Sequence, residues 1–292
     1  MNNKKLTLAN LLRNQKIVVA PGCHDALGAK IIETAGFNVV YMTGNGVSAS
    51  SIGKPDIGLV SMSEMITRAR GIASAVNIPV ICDADTGYGN VNNVMRTVKE
   101  YEAAGISAIH IEDQITPKMC GAMAGLKLIS TEEYIAKIKA ATVARNSTDF
   151  LIIARTDARA VLGFDEAIRR GQLAFEAGAD VVYIELLESV DEMKQAVKSI
   201  NAPMMFDMLE NFSMSLDINA LEEIGYKLVI FPMSSTLLYA KTTLKLMNSL
   251  KRNGNTAEFL ADMMTLHEYE SILGLDEIRE REKKLTGGSN IT

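Results

Sequence analysis

Cys120 stands in "DQITPKMCGAMAG", residues 113–125, a glycine- and alanine-rich stretch with Lys118 two positions earlier. The other two cysteines, Cys23 and Cys82, sit at the ends of apolar runs and read as buried, inert thiols. An odd number of cysteines without paired ligand spacing argues against a disulfide framework and against a zinc site. A thiol has an ordinary pKa of about 8.5, so near neutrality it is mostly protonated and fit to donate. A neighbouring lysine can stabilise the thiolate left behind.

The acids supply a second chemistry. Asp83 and Asp85 in "CDADTGYG" are two apart and point the same way on a strand, and Glu112 closes the next strand in "AIHIED". Three crowded carboxylates repel unless a cation sits among them, and an all-oxygen set favours Mg²⁺ or Mn²⁺ over zinc. Strand-end capping or a salt bridge is the alternative for "DAD". Arg155 follows "FLIIA", where an unpaired cation is costly, so it needs an anion. Glu185 on the following strand is one candidate, and a substrate carboxylate, which guanidinium binds bidentately, is the other. A metal beside an arginine makes a site for a small anionic acid.

These side chains need a scaffold. Eight short β-branched runs recur along the chain: "KIVVAP" (16–21), "NVVYMTG" (38–44), "PVICDAD" (79–85), "AIHIED" (108–113), "FLIIARTD" (150–157), "VVYIEL" (181–186), "PMMFDM" (203–208) and "LVIFPM" (228–233). Helical spacing of apolar residues lies between them, as in Val94, Val98 and Tyr101 or Ile135, Ile138 and Ala141. Several of these helices stop at a glycine, in "ETAGF", "EAAGI", "EAGAD" and "EEIGY". Continuous apolar strands alternating with helices predict a parallel sheet covered outside, and eight units predict a closed (β/α)₈ barrel spanning 1–292 as a single domain. The active site of such a barrel lies at the C-terminal ends of its strands, where Tyr41, Thr43, Asp83, Asp85, Glu112, Asp113, Arg155, Asp157, Glu185, Asp207 and Ser234 collect. Residues 234–275 form additional helical material that needs an apolar surface to cover, on a neighbouring subunit or on its own barrel, and 276–292 read as a flexible, solvated tail.

Composition narrows the partners. The 292 residues are 48% hydrophobic and 22% charged, as in an ordinary globular protein, and the net charge of -5 offers no basic footprint for nucleic acid or an anionic membrane. There is no apolar stretch long enough to span a bilayer and no secretory leader pattern in "MNNKKLTLANLLRNQK", so a cytoplasmic protein is expected.

"VVAPGCHDALGAKIIETAGFNVVYMTGNGVSAS", "DADTGYG", "HIEDQ", "PKMCG", "ARTDA" and "YIELLES", in this order, resemble the isocitrate lyase and phosphoenolpyruvate mutase superfamily, most closely its methylisocitrate lyase-like branch. The resemblance covers roughly residues 10 to 250. It implies a barrel whose extension helix is exchanged between paired subunits, in a homotetramer built as a dimer of dimers. It makes Asp85 the direct Mg²⁺ ligand, with Asp83, Glu112 and Asp56 holding the metal or its waters. Thr43, Gly44 and Asn45 become a cradle for the carboxylate of a 2-oxo acid, lined further by Arg155 and Glu185.

Lyases of that superfamily carry a K-(K/R)-C-G-H loop whose cysteine is the acid/base, and phosphonate-handling members lack the thiol. The retained Cys120, with Lys118, therefore implies carbon–carbon cleavage, and Tyr41 is a candidate base for the substrate hydroxyl. Met119 and Ala122 depart from the loop pattern, and Asp207, Met208, Leu209 and Glu210 depart from the element after strand seven. These changes remove donors and add an acid where a third carboxylate would sit, which disfavours a succinate-bearing substrate. The expected reaction splits a substituted malate, of the 2,3-dimethylmalate or citramalate type, into pyruvate and a short acid. The alternatives are 2-methylisocitrate cleavage, phosphonopyruvate hydrolysis or phosphoenolpyruvate mutation, and oxaloacetate decarboxylation.

Overall fold

All eight β-branched runs become strands in the computed structural model, which describes residues 6–210 and 216–287. They are β1 (Val18–Cys23), β2 (Val40–Met42), β3 (Val80–Asp83), β4 (Ala108–Ile111), β5 (Leu151–Thr156), β6 (Val181–Ile184), β7 (Met204–Asp207) and β8 (Leu228–Phe231). Each pairs in parallel with the next, and β1 returns to β8 with Val18 opposite Leu228, so the sheet is a closed barrel in chain order. The (β/α)₈ expectation holds.

Side chains of alternate strand positions fill the interior: Ala20, Tyr41, Ile81, Ala108, Ile153, Val181, Tyr183, Met205 and Ile230 form one buried cluster, joined by Leu8 and Leu11 of the helix Leu8–Asn14. The opposite faces of β3 to β5 pack against the helices Val91–Ala103 and Thr131–Ala144 through Val94, Val98, Tyr101, Tyr134, Ile138 and Ala141. Each buried aliphatic of this kind contributes roughly 1.5–3 kcal/mol.

The glycine stops work as conformational switches. Gly36, Gly105, Gly178 and Gly225 have φ of +88°, +86°, +104° and +112°, left-handed values that let the chain leave a helix and enter the next strand within a few residues. Side-chain caps open helices: Ser61 with Glu64 before the helix Met62–Ala75, and Asn90 with Asn93 before Val91–Ala103, are reciprocal pairs.

The chain divides into two compact units, residues 1–236, which hold the barrel, and 237–292. The second unit contains most of the helix Ser234–Asn253, a 3₁₀ turn at Ala257–Asp262 and the helices Leu266–Ile272 and Leu275–Leu285. Leu275–Leu285 corrects the expectation of a flexible tail from 276. Asp276 and Glu277 open this helix and Lys283 and Lys284 close it, charges that complement the helix dipole. Residues 288–292 of that expected tail lie outside the described residues. Among the described residues, no helix is long and apolar enough to cross a membrane.

Candidate active site

Period-two alternation carries the barrel interior up to its C-terminal rim. Ile81, Asp83 and Asp85 share one parity, as do Ala108, His110 and Glu112, then Ile153, Arg155 and Asp157, then Val181, Tyr183 and Glu185. Strand register sets Asp83 beside His110 and Arg155 beside Tyr183. The polar ends therefore converge, and all of these are buried.

The loop after β3 is shaped for its acids. Asp85 adopts a left-handed φ of +48°, its N–H donates to Asp83 Oδ1 at 2.9 Å and its carbonyl accepts from the Glu112 N–H at 2.9 Å. Opposite lies the start of the helix Gly44–Ile52, capped by Thr43, whose Oγ1 accepts from the Gly46 N–H at 3.3 Å. A Cβ on Gly44 would fall 2.4 Å from Asp83 Oδ2, so only glycine lets the helix N-terminus approach that carboxylate. Asn45, half-buried, follows in the first turn. A helix N-terminus suits a carboxylate in general, and the residues expected as a cradle, 43–45, stand at this one.

Lys118 reaches into the acids: its ammonium is 2.7 Å from Asp56 and 2.8 Å from Asp85. Asp56, expected near a metal, thus pairs with a lysine here, and Lys118, expected to act beside the thiol, carries its charge among the acids. Arg155 contacts Asp157 at 2.8 Å and Glu112 and Glu185 at 3.4 Å each, and lies over the Tyr183 ring at 5.2 Å. The Tyr183 hydroxyl donates to Glu185 and, at 3.0 Å, to Asp207, which ties the last expected acid to the arginine cluster. Ser234 donates to Glu210 nearby in sequence to Asp207. Tyr41 meets His110 Nε2 at 2.7 Å, and His110 is 3.7 Å from Asp83.

Carboxyl groups outnumber cations in this rim, and protonation reflects that. Burial pushes Asp85 up to about 6, against the pull of Lys118 and with help from Asp83 and Asp56. Burial likewise raises Glu185 to about 8 and Asp207 to about 7, and it holds Glu112 well above the carboxylate range. Asp83 is the exception: burial acts to raise it, yet His110 when protonated, Lys118, Arg155 and the Asp85 N–H together bring it down to about 2. Burial lowers His110 to about 4, so it is neutral at pH 7, and its tautomer decides which side of the contact with Tyr41 carries the proton. Burial also keeps the Tyr41 proton on.

Both Glu112 oxygens are fully buried without a hydrogen-bond partner, although Arg155 lies nearby. Such orphaned acceptors beside Asp83 and Asp85 fit a hard divalent cation. Among the described residues, no three acid, imidazole or thiol groups converge closely enough to hold an ion as arranged, and the Lys118 ammonium contacts both Asp56 and Asp85.

Cys120 stands at the edge of this cluster. Burial, its main influence, raises the thiol above its ordinary value, and Asp56 and Glu185 add to this while the Ala122 N–H and Arg155 oppose it. Its own N–H donates to the Asp56 carbonyl at 3.0 Å. The next residue closes on the arginine: a Cβ on Gly121 would lie 2.3 Å from Arg155 Nη2, 2.6 Å from Glu185 Oε1 and 2.9 Å from Asp157 Oδ1. His110 and Tyr183 lie outside the strand-end residues singled out from the sequence, because they sit one step lower in the barrel. Inward parity with Glu112 and Glu185 is the signal that finds them.

Acids, a lysine and an arginine gathered at the C-terminal ends of the strands give the layout of a barrel enzyme. The sequence profile of phosphoenolpyruvate phosphomutase matches residues 8–251. The chain belongs to the phosphoenolpyruvate mutase/isocitrate lyase superfamily. It is 46% identical over 287 residues to 2,3-dimethylmalate lyase of Eubacterium barkeri, covering 98% of this chain and 99% of that one. Its backbone superimposes on oxaloacetate acetylhydrolase in complex with 3,3-difluorooxalacetate with a TM-score of 0.92 at 32% identity, over 98% of this chain and 97% of the other. Phosphonopyruvate hydrolase complexed with oxalate and Mg²⁺ gives a TM-score of 0.84 at 34% identity, over 94% and 96% of the two chains.

Proposed function

We propose that the protein is a Mg²⁺-dependent carbon–carbon lyase that splits a substituted malate of the 2,3-dimethylmalate or citramalate type into pyruvate and a short monocarboxylic acid. The observation that carries this reading is a thiol kept protonated by burial, on a loop that rests through Gly121 against the Arg155–Glu185 pair. The likeness to 2,3-dimethylmalate lyase supports it.

Asp83, Asp85 and Glu112, with Asp56 behind Lys118, would hold the cation, which when bound would polarise the hydroxyl and carboxylate of the substrate. The N-terminus of Gly44–Ile52 receives the carboxylate next to the reacting carbon, and Arg155 faces the second carboxylate. The substrate hydroxyl gives up its proton, for which Tyr41 with His110 and the rim carboxylates are the candidate acceptors. Its oxygen then forms the carbonyl of pyruvate as the C2–C3 bond breaks. The electron pair of that bond goes to C3, which takes the proton from Cys120, and the thiolate is afterwards reprotonated with the proton first removed. Atoms and charge balance without a redox partner.

Asp207 and Ala122 favour a leaving fragment without an additional carboxylate, which separates this reading from 2-methylisocitrate cleavage. Phosphonopyruvate hydrolysis is the second reading, favoured by the likeness to that hydrolase, and it leaves Cys120 without a role. Purified protein with Mg²⁺, presented with 2,3-dimethylmalate, citramalate, methylisocitrate, oxaloacetate and phosphonopyruvate, distinguishes them by its products. Cys120→Ser should lower lyase turnover about 10²–10⁴-fold while leaving Mg²⁺ and pyruvate binding intact, because a hydroxyl is a much weaker acid. Undiminished cleavage by that variant would return Cys120 to a passive loop residue.

A further inference from the structure

The loop that carries Cys120 leaves and re-enters the barrel at one point. Ile115 N–H donates to the Lys127 carbonyl at 2.8 Å, Ile129 N–H donates to the Asp113 carbonyl at 3.0 Å, and Gln114 bridges to Leu128. Residues 116–126 are therefore an excursion with joined ends. Its stem alone does not say where Cys120 stands, because that depends on what holds the tip.

Lys118 on Asp56 and Asp85 and the Cys120 N–H on the Asp56 carbonyl hold one side of it, and Gln114, only 1% exposed, holds the other. Its side-chain carbonyl accepts from the Met119 N–H at 3.0 Å and its amide donates to the Met119 carbonyl at 2.9 Å, so one side chain satisfies both main-chain groups of the residue preceding Cys120. The pairing also decides the orientation of the amide, since the Met119 N–H can face only an acceptor. The same Nε2 donates to Asp157 Oδ2 at 3.2 Å, and the other Asp157 oxygen receives Arg155 at 2.8 Å. A continuous hydrogen-bonded path thus runs from the backbone beside the thiol to the guanidinium that faces the substrate pocket. Neither a carboxylate nor an apolar side chain of the same length reproduces it. Glutamate cannot donate to the Met119 carbonyl, and asparagine is one methylene short.

We propose that Gln114 is a positioning residue that clamps residues 116–126 against the barrel and couples the placement of the Cys120 thiol to the Arg155–Asp157 pair. This rests on the lyase reading only for its effect on turnover; the clamp itself can be measured without any substrate. In the full-length protein, Cys120 is the half-buried thiol, whereas Cys23 and Cys82 are buried and serve as internal references.

Iodoacetamide labelling of Cys120, followed by peptide mass, reads how often the loop opens. Gln114→Met, which keeps the length and removes the bonds, should speed labelling roughly 2- to 12-fold for each net hydrogen bond lost. Gln114→Glu, which keeps the acceptor for the Met119 N–H, should fall between it and the parent. On the best hydroxy acid kcat should drop with the labelling order while KM stays within a few-fold, a split that a general loss of folding would not produce. Should Gln114→Met also label Cys23 or Cys82, Gln114→Asn gives the same reading. Labelling of Cys120 unchanged from the parent in a folded variant overturns the clamp, whatever the turnover. Faster labelling with unaltered turnover upholds the clamp and removes Cys120 from the chemistry.

Discussion

Gly121 shows how tightly single atoms are constrained at this site. A methyl group there would meet Arg155, Glu185 and Asp157 at distances no relaxed contact allows, and Arg155 cannot retreat because Asp157 and Tyr183 hold it. Gly121→Ala should therefore displace the loop rather than the arginine. A shift of this kind should cost about 10² in kcat, measured at saturating substrate, with little change in thermal midpoint because the loop is outside the packed interior. Near-parental turnover would mean that Gly121 does not close on Arg155 during the reaction. The metal reading is tested at the same scale: Asp85→Asn should lose Mg²⁺ affinity, read by calorimetry, while the barrel stays folded. At this scale the sequence was most legible where strand parity and strand ends coincide, as for Asp83, Asp85, Glu112 and Arg155. It was least legible for Lys118, which reaches Asp56 and Asp85 from a loop whose path no local pattern encodes.

Between residue and molecule, the helix Phe164–Glu176 is fastened to the back of the barrel by charge as well as by apolar contact. Arg170, buried, donates to Asp113 at 2.8 Å and to the Ile129 carbonyl at 3.1 Å, and Asp113 also receives Thr156 at 2.6 Å and the Asp157 N–H at 2.9 Å. Asp113 has the outward parity, so unlike Glu112 it anchors an element and does not enter the pocket. Arg170→Ala strands a buried carboxylate and should destabilise the fold by about 3–5 kcal/mol in urea unfolding. On the same helix, hydrogen bonds from Arg169, foremost, with those from Arg170 and Thr131, hold Glu166 down at about 2, below its ordinary 4.5. A depressed carboxylate pKa contributes stability that is full above 4.5 and is lost as pH falls toward 2. Glu166→Gln should thus be less stable than the parent at pH 6 by roughly 1 kcal/mol, after allowance for solvent screening, with the difference vanishing near pH 2. Equal urea midpoints at pH 6 would dispose of that contribution. The elements themselves were readable because glycine stops and apolar spacing are local signals. The helix Leu275–Leu285 was not, since its charged sequence looks like a solvated tail until the dipole-matched ends are considered.

At the scale of the whole molecule, residues 6–210 and 216–236 bury most of their apolar side chains, whereas residues 237–287 leave many exposed. On the helix Ser234–Asn253, Leu237, Leu244 and Met247 fall on one face at helical spacing and are 44%, 62% and 46% exposed. Leu260, Met264 and Leu266 in the following segment are exposed as well. Exposed apolar side chains at such spacing are what a second chain would cover, and a stable interface needs about 1,600 Å² in total. We propose, in line with the exchanged helix that the superfamily resemblance implies, that this segment packs on a partner copy and that the assembly is a homotetramer. The barrel was legible because its apolar strand run recurs eight times along the sequence; the assembly was not, because an apolar helix reads the same whether it folds onto its own chain or another. Light scattering of the intact protein should give a mass of at least two chains. Leu244→Glu combined with Met247→Glu, which places charge in the middle of the stripe, should reduce that mass while circular dichroism retains the barrel. A monomeric parent protein, or an unchanged assembly in the double variant, would place the subunit contact elsewhere and leave the exposed stripe without a partner.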